Sequence, residues 1–334
     1  MWQNKVAVVT GASAGVGRAI AIALGRRGFK VGLIARGREG LDEARRAVEA
    51  AGGMALALPA DVADADAVFA AAQQVQAEWG SIDLWINNAM VTVFSEFDDV
   101  TPQEFKRVTD VTYLGQVHGT MAALKHMRPR DRGTIVQIGS ALAYRSIPLQ
   151  SAYCGAKAAV RGFTDSLRSE LEHQGSRIRL TMVQLPAMNT PQFSWARTHL
   201  DQHPMPVPPI FQPEAVAEEI VHAAYQAPRE VWVGKPTLEA ILGTMVAPER
   251  LDKMMAEKAY EGQMTDDPIS PGRRDNLFEP VPQLAETHGV FDEQAKAEVM
   301  AFDPTQIRVA VAVAGIAAAA GLGALAASAA RRLR

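Results

Sequence analysis

Tyr153-Cys154-Gly155-Ala156-Lys157 sets a phenol and an ammonium one helical turn apart, and Ser140 supplies a hydroxyl upstream of them. A free tyrosine, with a pKa near ~10, is a poor acid or base at neutral pH. A lysine charge at i+4 stabilises the phenolate and lowers that value. The Ser140 hydroxyl is then suited to hold a carbonyl or alcohol oxygen against the phenol. Together the three residues read as a proton-transfer device. The spacing alone is common on solvated helices, so its meaning rests on the elements that carry it.

Those elements begin at the N-terminus. Lys5-Val6-Ala7-Val8-Val9 is a short apolar run of the kind expected for a buried parallel strand, and Thr10-Gly11-Ala12-Ser13-Ala14-Gly15-Val16-Gly17 follows at once. Residues 18–24 are rich in helix formers and lead to a second apolar run, Val31-Gly32-Leu33-Ile34-Ala35. Strand, glycine turn, helix, strand is the dinucleotide-binding pattern. Its glycines let the backbone turn tightly, approach a pyrophosphate and pack the helix on the sheet, and the helix N-terminus faces the phosphates. Further apolar runs at 54–58, 84–86, 133–138, 178–183 and 230–233 alternate with stretches rich in Ala, Glu, Arg and Gln. The alternation predicts an α/β fold of the Rossmann type, a doubly wound parallel sheet of about seven strands.

From about residue 3 to about residue 236 the chain resembles the short-chain dehydrogenase/reductase family. Thr10, Gly11, Ser13, Gly15, Val16 and Gly17 lie in the segment matching its TGxxxGxG turn, Asp61-Val62 its adenine-contacting pair and Asn87-Asn88-Ala89 its NNAG loop. Ser140, Tyr153 and Lys157 match its catalytic residues. The resemblance implies that Tyr153 is general acid in reduction and general base in oxidation. Lys157 would lower its pKa and hold the nicotinamide ribose, and Ser140 would orient the substrate oxygen. Asn88 would lie beside the adenosine ribose and help fix the sheet. The hydride comes from the nicotinamide, and the protein contributes position and proton flow. Family members commonly pair, so a homo-oligomer is expected.

Cofactor choice is read at the end of the second strand, where an acidic residue would bind the ribose 2′-hydroxyl of NAD. Here the chain reads Ala35-Arg36-Gly37-Arg38. Arg36 is able to bind a 2′-phosphate bidentately, so NADP(H) is favoured over NAD(H), while Arg38 is also readable as an ordinary surface charge.

Three positions depart from the family pattern. Thr112 stands where the family has the asparagine that helps a water chain reach the lysine; its hydroxyl still donates and accepts, so an altered relay is expected. Met90 replaces the glycine of NNAG, and reads either as a sign of a hydrophobic substrate or as simple loop packing. The family's Pro-Gly-x-x-x-Thr appears as Leu185-Pro186-Ala187-Met188-Asn189-Thr190. Either Ala187 or Pro186 takes the glycine's place, and Pro186, Met188 and Thr190 remain candidates for gripping the carboxamide.

Composition excludes other classes. The 334 residues, 48% hydrophobic and 21% charged, can bury a large core. A net charge of -3 makes no electrostatic case for nucleic acid. The single cysteine, Cys154, excludes an internal disulfide framework and reads as a packing residue, and the lack of clustered Cys or His argues against a metal. Residues 193–212 carry Trp195, His199, His203 and the run Pro204-Met205-Pro206-Val207-Pro208-Pro209, an apolar flap suited to covering a small apolar substrate. Phe94, Leu142, Tyr144 and Leu149 are further pocket candidates. His199 and His203 read as surface-loop residues for want of partner ligands.

Beyond the dinucleotide-binding domain, 1–236, an extension covers 237–305: helical to about residue 260, then polar and interrupted by Pro268, Pro271, Pro280 and Pro282. The terminal segment, 306–334, contains an uncharged stretch at 309–330 that as a helix would run about 33 Å, enough to cross a bilayer core of ~30 Å. A membrane anchor with the catalytic domain in the cytoplasm is the favoured reading. The alternatives are an interfacial helix with its arginines on anionic head groups, or a helix buried against a sister subunit in a soluble cytoplasmic protein. The functional expectation is a membrane-associated NADP(H)-dependent oxidoreductase interconverting a carbonyl and a secondary alcohol on an apolar, lipid-like substrate. Its rival is a catalytically weak dinucleotide-binding scaffold that organises membrane proteins.

Overall fold

A computed structural model of the chain describes residues 4–307 together with 309, 310 and 313. Seven strands are parallel: β1 (Val6–Thr10), β2 (Lys30–Ala35), β3 (Met54–Pro59), β4 (Leu84–Asn87), β5 (Gly133–Ile138), β6 (Ile178–Gln184) and β7 (Glu230–Val233). All seven apolar runs are strands. An eighth, β8 (Ala301–Phe302), comes from the extension and pairs antiparallel with β7, Phe302 opposite Trp232. The order across the sheet is 3-2-1-4-5-6-7-8.

The unbroken apolar character of β1, whose five residues are all buried, follows from helices covering both faces. On one face α1 (Gly15–Gly25), α2 (Arg38–Ala50) and the helix Pro213–Gln226 enclose one core cluster. On the other, α3 (Ala65–Trp79), α4 (Pro102–Thr109), α5 (Gly115–Met127) and α6 (Ser151–His173) enclose a second. The strand order reverses between β1 and β4, which opens a crevice beyond their carboxyl ends, the usual place for a ligand in such sheets.

After β7 the chain forms Lys235–Val246 and Pro248–Met254. The expected helical stretch is divided at Ala247, because Pro248 has no N–H to continue the ladder and instead opens a new helix at its first turn. The polar segment that follows builds short pairings on the body: Met264–Pro268 with Gln202–Pro204, and Ala295–Lys296 with Ile210–Phe211. No helix among the described residues is long and apolar enough to cross a membrane. Apart from 309, 310 and 313, the stretch 309–330 lies outside the described residues.

Candidate active site

Tyr153 and Lys157 occupy the first two turns of α6, and both are buried. The Lys157 ammonium donates to the Ile138 carbonyl at 2.7 Å, at the end of β5, and lies 5.6 Å from the centre of the Tyr153 ring. Ser140 follows two residues later and caps a short turn: its Oγ accepts from the Leu142 N–H at 3.1 Å, and its own N–H donates to Gln184 Oε1 at 2.7 Å. Gln184 Nε2 in turn donates to Glu230, which also accepts from the Tyr144 hydroxyl. A buried polar chain thus holds the serine from behind.

The electrostatics of the pair differ from the sequence reading. Lys157 was expected to pull the Tyr153 phenol down; instead burial holds the phenol above its ordinary value, against the opposing hydrogen bond with Ser140. Burial also pushes Lys157 down to about 7. Desolvation penalises both charged forms, and at these depths it outweighs the benefit of an i+4 neighbour. The result is a lysine that gives up a proton near neutrality beside a phenol that keeps its own.

The phosphate turn is built by backbone contacts. Gly11 has φ +67°, and a Cβ there would come within 2.8 Å of the Ala89 Cα; one on Gly17 would lie 2.1 Å from the Gly11 carbonyl oxygen. The Asn88 amide donates to the Thr10 carbonyl at 3.0 Å, and its backbone N–H donates to Thr10 Oγ1 at 2.9 Å, tying the ends of β1 and β4 together. Thr10 and Gly17 therefore stand behind the wall. Gly11, Ser13, Gly15 and Val16 form it, along one side of a cavity of about 860 Å³. Thr190 faces the turn, its Cβ 3.3 Å from where a Gly15 side chain would begin. Arg36, Asp61, Val62 and Asn88 line the same cavity, as do Ser140, Tyr153, Lys157, Pro186 and Met188. A cradle that side chains would fill, beside a helix N-terminus and leading to a tyrosine–lysine pair, fits a dinucleotide.

Residues 5–200 match the family model described as short chain dehydrogenase. The chain belongs to the short-chain dehydrogenase/reductase family. It is similar to the uncharacterized oxidoreductase YxnA of Bacillus subtilis, 34% identical over 280 residues, covering 83% of this chain and 78% of the relative. A fatty acyl-CoA reductase of Acinetobacter baylyi is 33% identical over 69% of this chain and 76% of its own length. Among solved structures, a metagenomic short-chain oxidoreductase in complex with NADP has a TM-score of 0.58 at 29% identity, over 68% of this chain and 96% of that one. A Mycobacterium paratuberculosis short chain dehydrogenase bound to NAD has a TM-score of 0.59 at 25% identity, over 66% of this chain and 91% of that one. This short-chain dehydrogenase/reductase is accordingly an NAD(P)-dependent oxidoreductase acting on alcohol and carbonyl groups.

Four residues of this short-chain dehydrogenase/reductase are engaged otherwise than the sequence suggests, beginning with Gly15 of the phosphate turn, whose N–H donates to the Glu286 carbonyl of the extension at 2.8 Å. Arg36 is not open: its Nη1 donates to the carbonyls of Leu277 (3.3 Å) and Phe278 (2.7 Å), and its Nη2 to that of Asn276, all from the extension. Burial, and then the like charge of Arg107, lower its pKa. Asp61 pairs with Arg107 at 2.5 Å, and Arg107 Nε also donates to Leu277 O at 3.0 Å. Thr112 lies in a π-helical turn, Asp110–Leu114, and is fully buried outside the cavity wall. Its hydroxyl donates to the Val91 carbonyl at 2.8 Å and accepts from the Val91 N–H at 3.1 Å. With its donor on the Val91 carbonyl and one of its two acceptor positions on the Val91 N–H, Thr112 clamps the wall residue Val91.

Met90, Phe94 and Leu142 line the cavity, together with Phe193, Trp195 and residues 205–209 of the flap. Tyr144 and Leu149 do not; Tyr144 belongs to the chain behind Ser140, and Leu149 is buried with φ +66° just before α6. His199 sets Nε2 3.1 Å from both oxygens of Glu104. Sequence reading missed Glu104, Arg107 and Arg197. Thr101-Pro102-Gln103-Glu104 is a capping box in which Thr101 and Glu104 bond reciprocally, a signal that was available. Burial alone would raise the Glu104 carboxyl, but the Thr101 N–H, Arg197, His199 and the Thr101 hydroxyl more than offset it and hold it at about 2.

Proposed function

We propose that the protein interconverts a carbonyl and a secondary alcohol on an apolar, lipid-like substrate with NADP(H), Tyr153 acting as general acid in reduction and general base in oxidation. The observation that carries this reading is the single cavity that joins the phosphate turn to Ser140, Tyr153 and Lys157, and then continues between Met90, Phe94, Leu142, Met205 and Leu251. An apolar wall of this kind excludes water and pays no desolvation for a hydrocarbon chain. The lipid-handling relative supports the same substrate class.

Ser140 holds the substrate oxygen with its hydroxyl hydrogen, because a carbonyl oxygen can only accept, while its Oγ keeps the Leu142 N–H. Tyr153 transfers the phenolic proton to that oxygen as negative charge develops there, and Lys157, buried beside the ring and held by the Ile138 carbonyl, would hold the nicotinamide ribose. A nicotinamide bound in this cavity would supply or accept the hydride. Gly11, Ser13, Gly15 and Val16 would hold the pyrophosphate, which takes the Gly15 N–H from the Glu286 carbonyl. Asp61, Val62 and Asn88 would hold the adenosine, and Pro186, Met188 and Thr190 the carboxamide. NADP(H) is favoured because β2 ends without a carboxylate and Arg36 reaches the cavity; a 2′-phosphate forms stronger, charge-assisted bonds than the neutral carbonyls that Arg36 now holds. Residues 309–330 anchor the protein to a membrane with the catalytic domain in the cytoplasm, and the protein works as a homo-oligomer.

The test is NADPH oxidation by full-length protein against lipid-like ketones, and NADP reduction with the corresponding alcohols, with and without residues 306–334. Turnover of a long-chain ketone is expected. NADPH binding without turnover across the panel overturns the reading in favour of the scaffold. Recovery of the full-length protein in the supernatant after detergent-free lysis rejects the anchor.

A further inference from the structure

The wall over the apolar half of the cavity includes a single turn of helix, Gln192–Trp195. A turn this short has no stability of its own, and its last carbonyls have no partners within it. The extension supplies them. The Arg273 guanidinium donates through Nη2 to the Phe193 carbonyl (3.1 Å), through Nε to that of Ser194 (2.9 Å) and through Nη1 to that of Ala196 (2.6 Å). The Asn276 N–H takes the remaining carbonyl, Trp195, at 2.8 Å. Four consecutive acceptors are thus satisfied from residues 273–276. A fork of fixed N–H directions suits this task, and its positive charge lies against the negative end of the turn.

What the turn presents is the substrate-side wall. Phe193 and Trp195 line the cavity, and the Phe193 ring lies 5.9 Å from Phe94 and 6.1 Å, edge-on, from Phe291 of the extension. The next segment is held the same way: Arg197 bonds Glu104 at 3.0 Å and Asp275 at 2.8 Å.

We propose that Arg273 is a positioning residue for substrate selectivity, acting through Phe193 and Trp195, so that the extension rather than the dinucleotide-binding domain sets how long an apolar chain the cavity holds. The inference rests on the carbonyl–alcohol reading above and deepens it.

The experiment compares wild type, Arg273→Met and Arg273→Lys as full-length proteins, with short and long straight-chain methyl ketones as probes. Thermal melting and NADPH affinity are measured alongside. In Arg273→Met the KM for the long ketone is expected to rise about tenfold, the scale of one lost hydrophobic contact surface, with kcat, the short-ketone KM and the NADPH Kd within about twofold. Arg273→Lys, which keeps the charge without the fork, restores two- to threefold of that loss and covers the case in which the Met variant fails to fold. An unchanged ratio of long- to short-ketone KM in both variants overturns the inference while leaving the proposed activity intact. If wild type turns over neither ketone, the activity reading fails by itself, and long-ketone binding to the holoprotein, followed by tryptophan fluorescence, decides: a tenfold weaker Kd in Arg273→Met supports the positioning role, and an equal Kd overturns it.

Discussion

Lys157 and Arg36 line the same cavity and are held in opposite ways. Lys157 is 1% exposed, donates to the Ile138 carbonyl, and is pushed down to about 7 by burial. Arg36 is gripped by the carbonyls of Asn276, Leu277 and Phe278, from a segment far along the chain. On the proposed reading a proton moves beside Lys157, where desolvation disfavours the charged ammonium, and an anion binds at Arg36, which is meanwhile kept in place by neutral acceptors that a phosphate can outcompete. The proposed reaction end is assembled from β5, β6 and α6, while the proposed adenosine end and the flap depend on the extension for their partners.

The sharpest way to break this contrast is Tyr153→Phe. Ketone reduction is expected to fall about 10³-fold with NADPH affinity within twofold, since the phenolic proton is removed and the cleft is not. Full hydride transfer by this variant removes the reaction end from the comparison.

Next in size is Glu104, which joins α4 to the flap through Arg197. Its folded value of about 2 lies below the ordinary carboxylate value of 4.5, so its contribution is present above the unfolded pKa and lost as pH falls through the folded one. Full stability is expected above about pH 5, with about 3 kcal/mol lost between there and pH 2. Glu104→Gln should be destabilised by a similar amount at pH 7 and converge with wild type at pH 2, measured by urea unfolding across pH. A constant gap at every pH contradicts the assignment.

Arg36→Ala tests the adenosine end. The NADPH Kd is expected to rise about 30-fold and the NADH Kd to change less than threefold, read by fluorescence titration. Equal losses for both cofactors mean that the arginine serves the extension alone. The smallest effect is expected at Thr112: Thr112→Val removes both bonds to Val91 and should cost about 1–2 kcal/mol, whereas Thr112→Ser should stay within about 0.5 kcal/mol. A Val variant as stable as wild type would dissolve the clamp.

Much of the core was legible because its signals are local. Seven apolar runs became seven strands, and the Gly11 turn declared itself because a tight approach to Ala89 tolerates no side chain. Ser140, Tyr153 and Lys157 converge because β5 ends and α6 begins at the same edge of the sheet. The electrostatic sign at Tyr153 was not legible. An i+4 spacing encodes proximity, whereas burial depends on every element packed above the helix. The extension was harder still: its pairings, such as Ala301–Phe302 and Ala295–Lys296, are too short to show a period, and their partners lie far away in sequence.

The chain's own order of residues therefore determined the sheet, the glycine turn and the motif residues Ser140, Tyr153 and Lys157 that line the cavity, because each depends on short-range pattern and backbone sterics. Only the tertiary structure decided how those side chains are charged, that Thr112 clamps Val91, and that Arg36 and the flap answer to residues 273–278. These outcomes turn on desolvation and on hydrogen bonds between distant segments, and both exist only once the chain has folded around them.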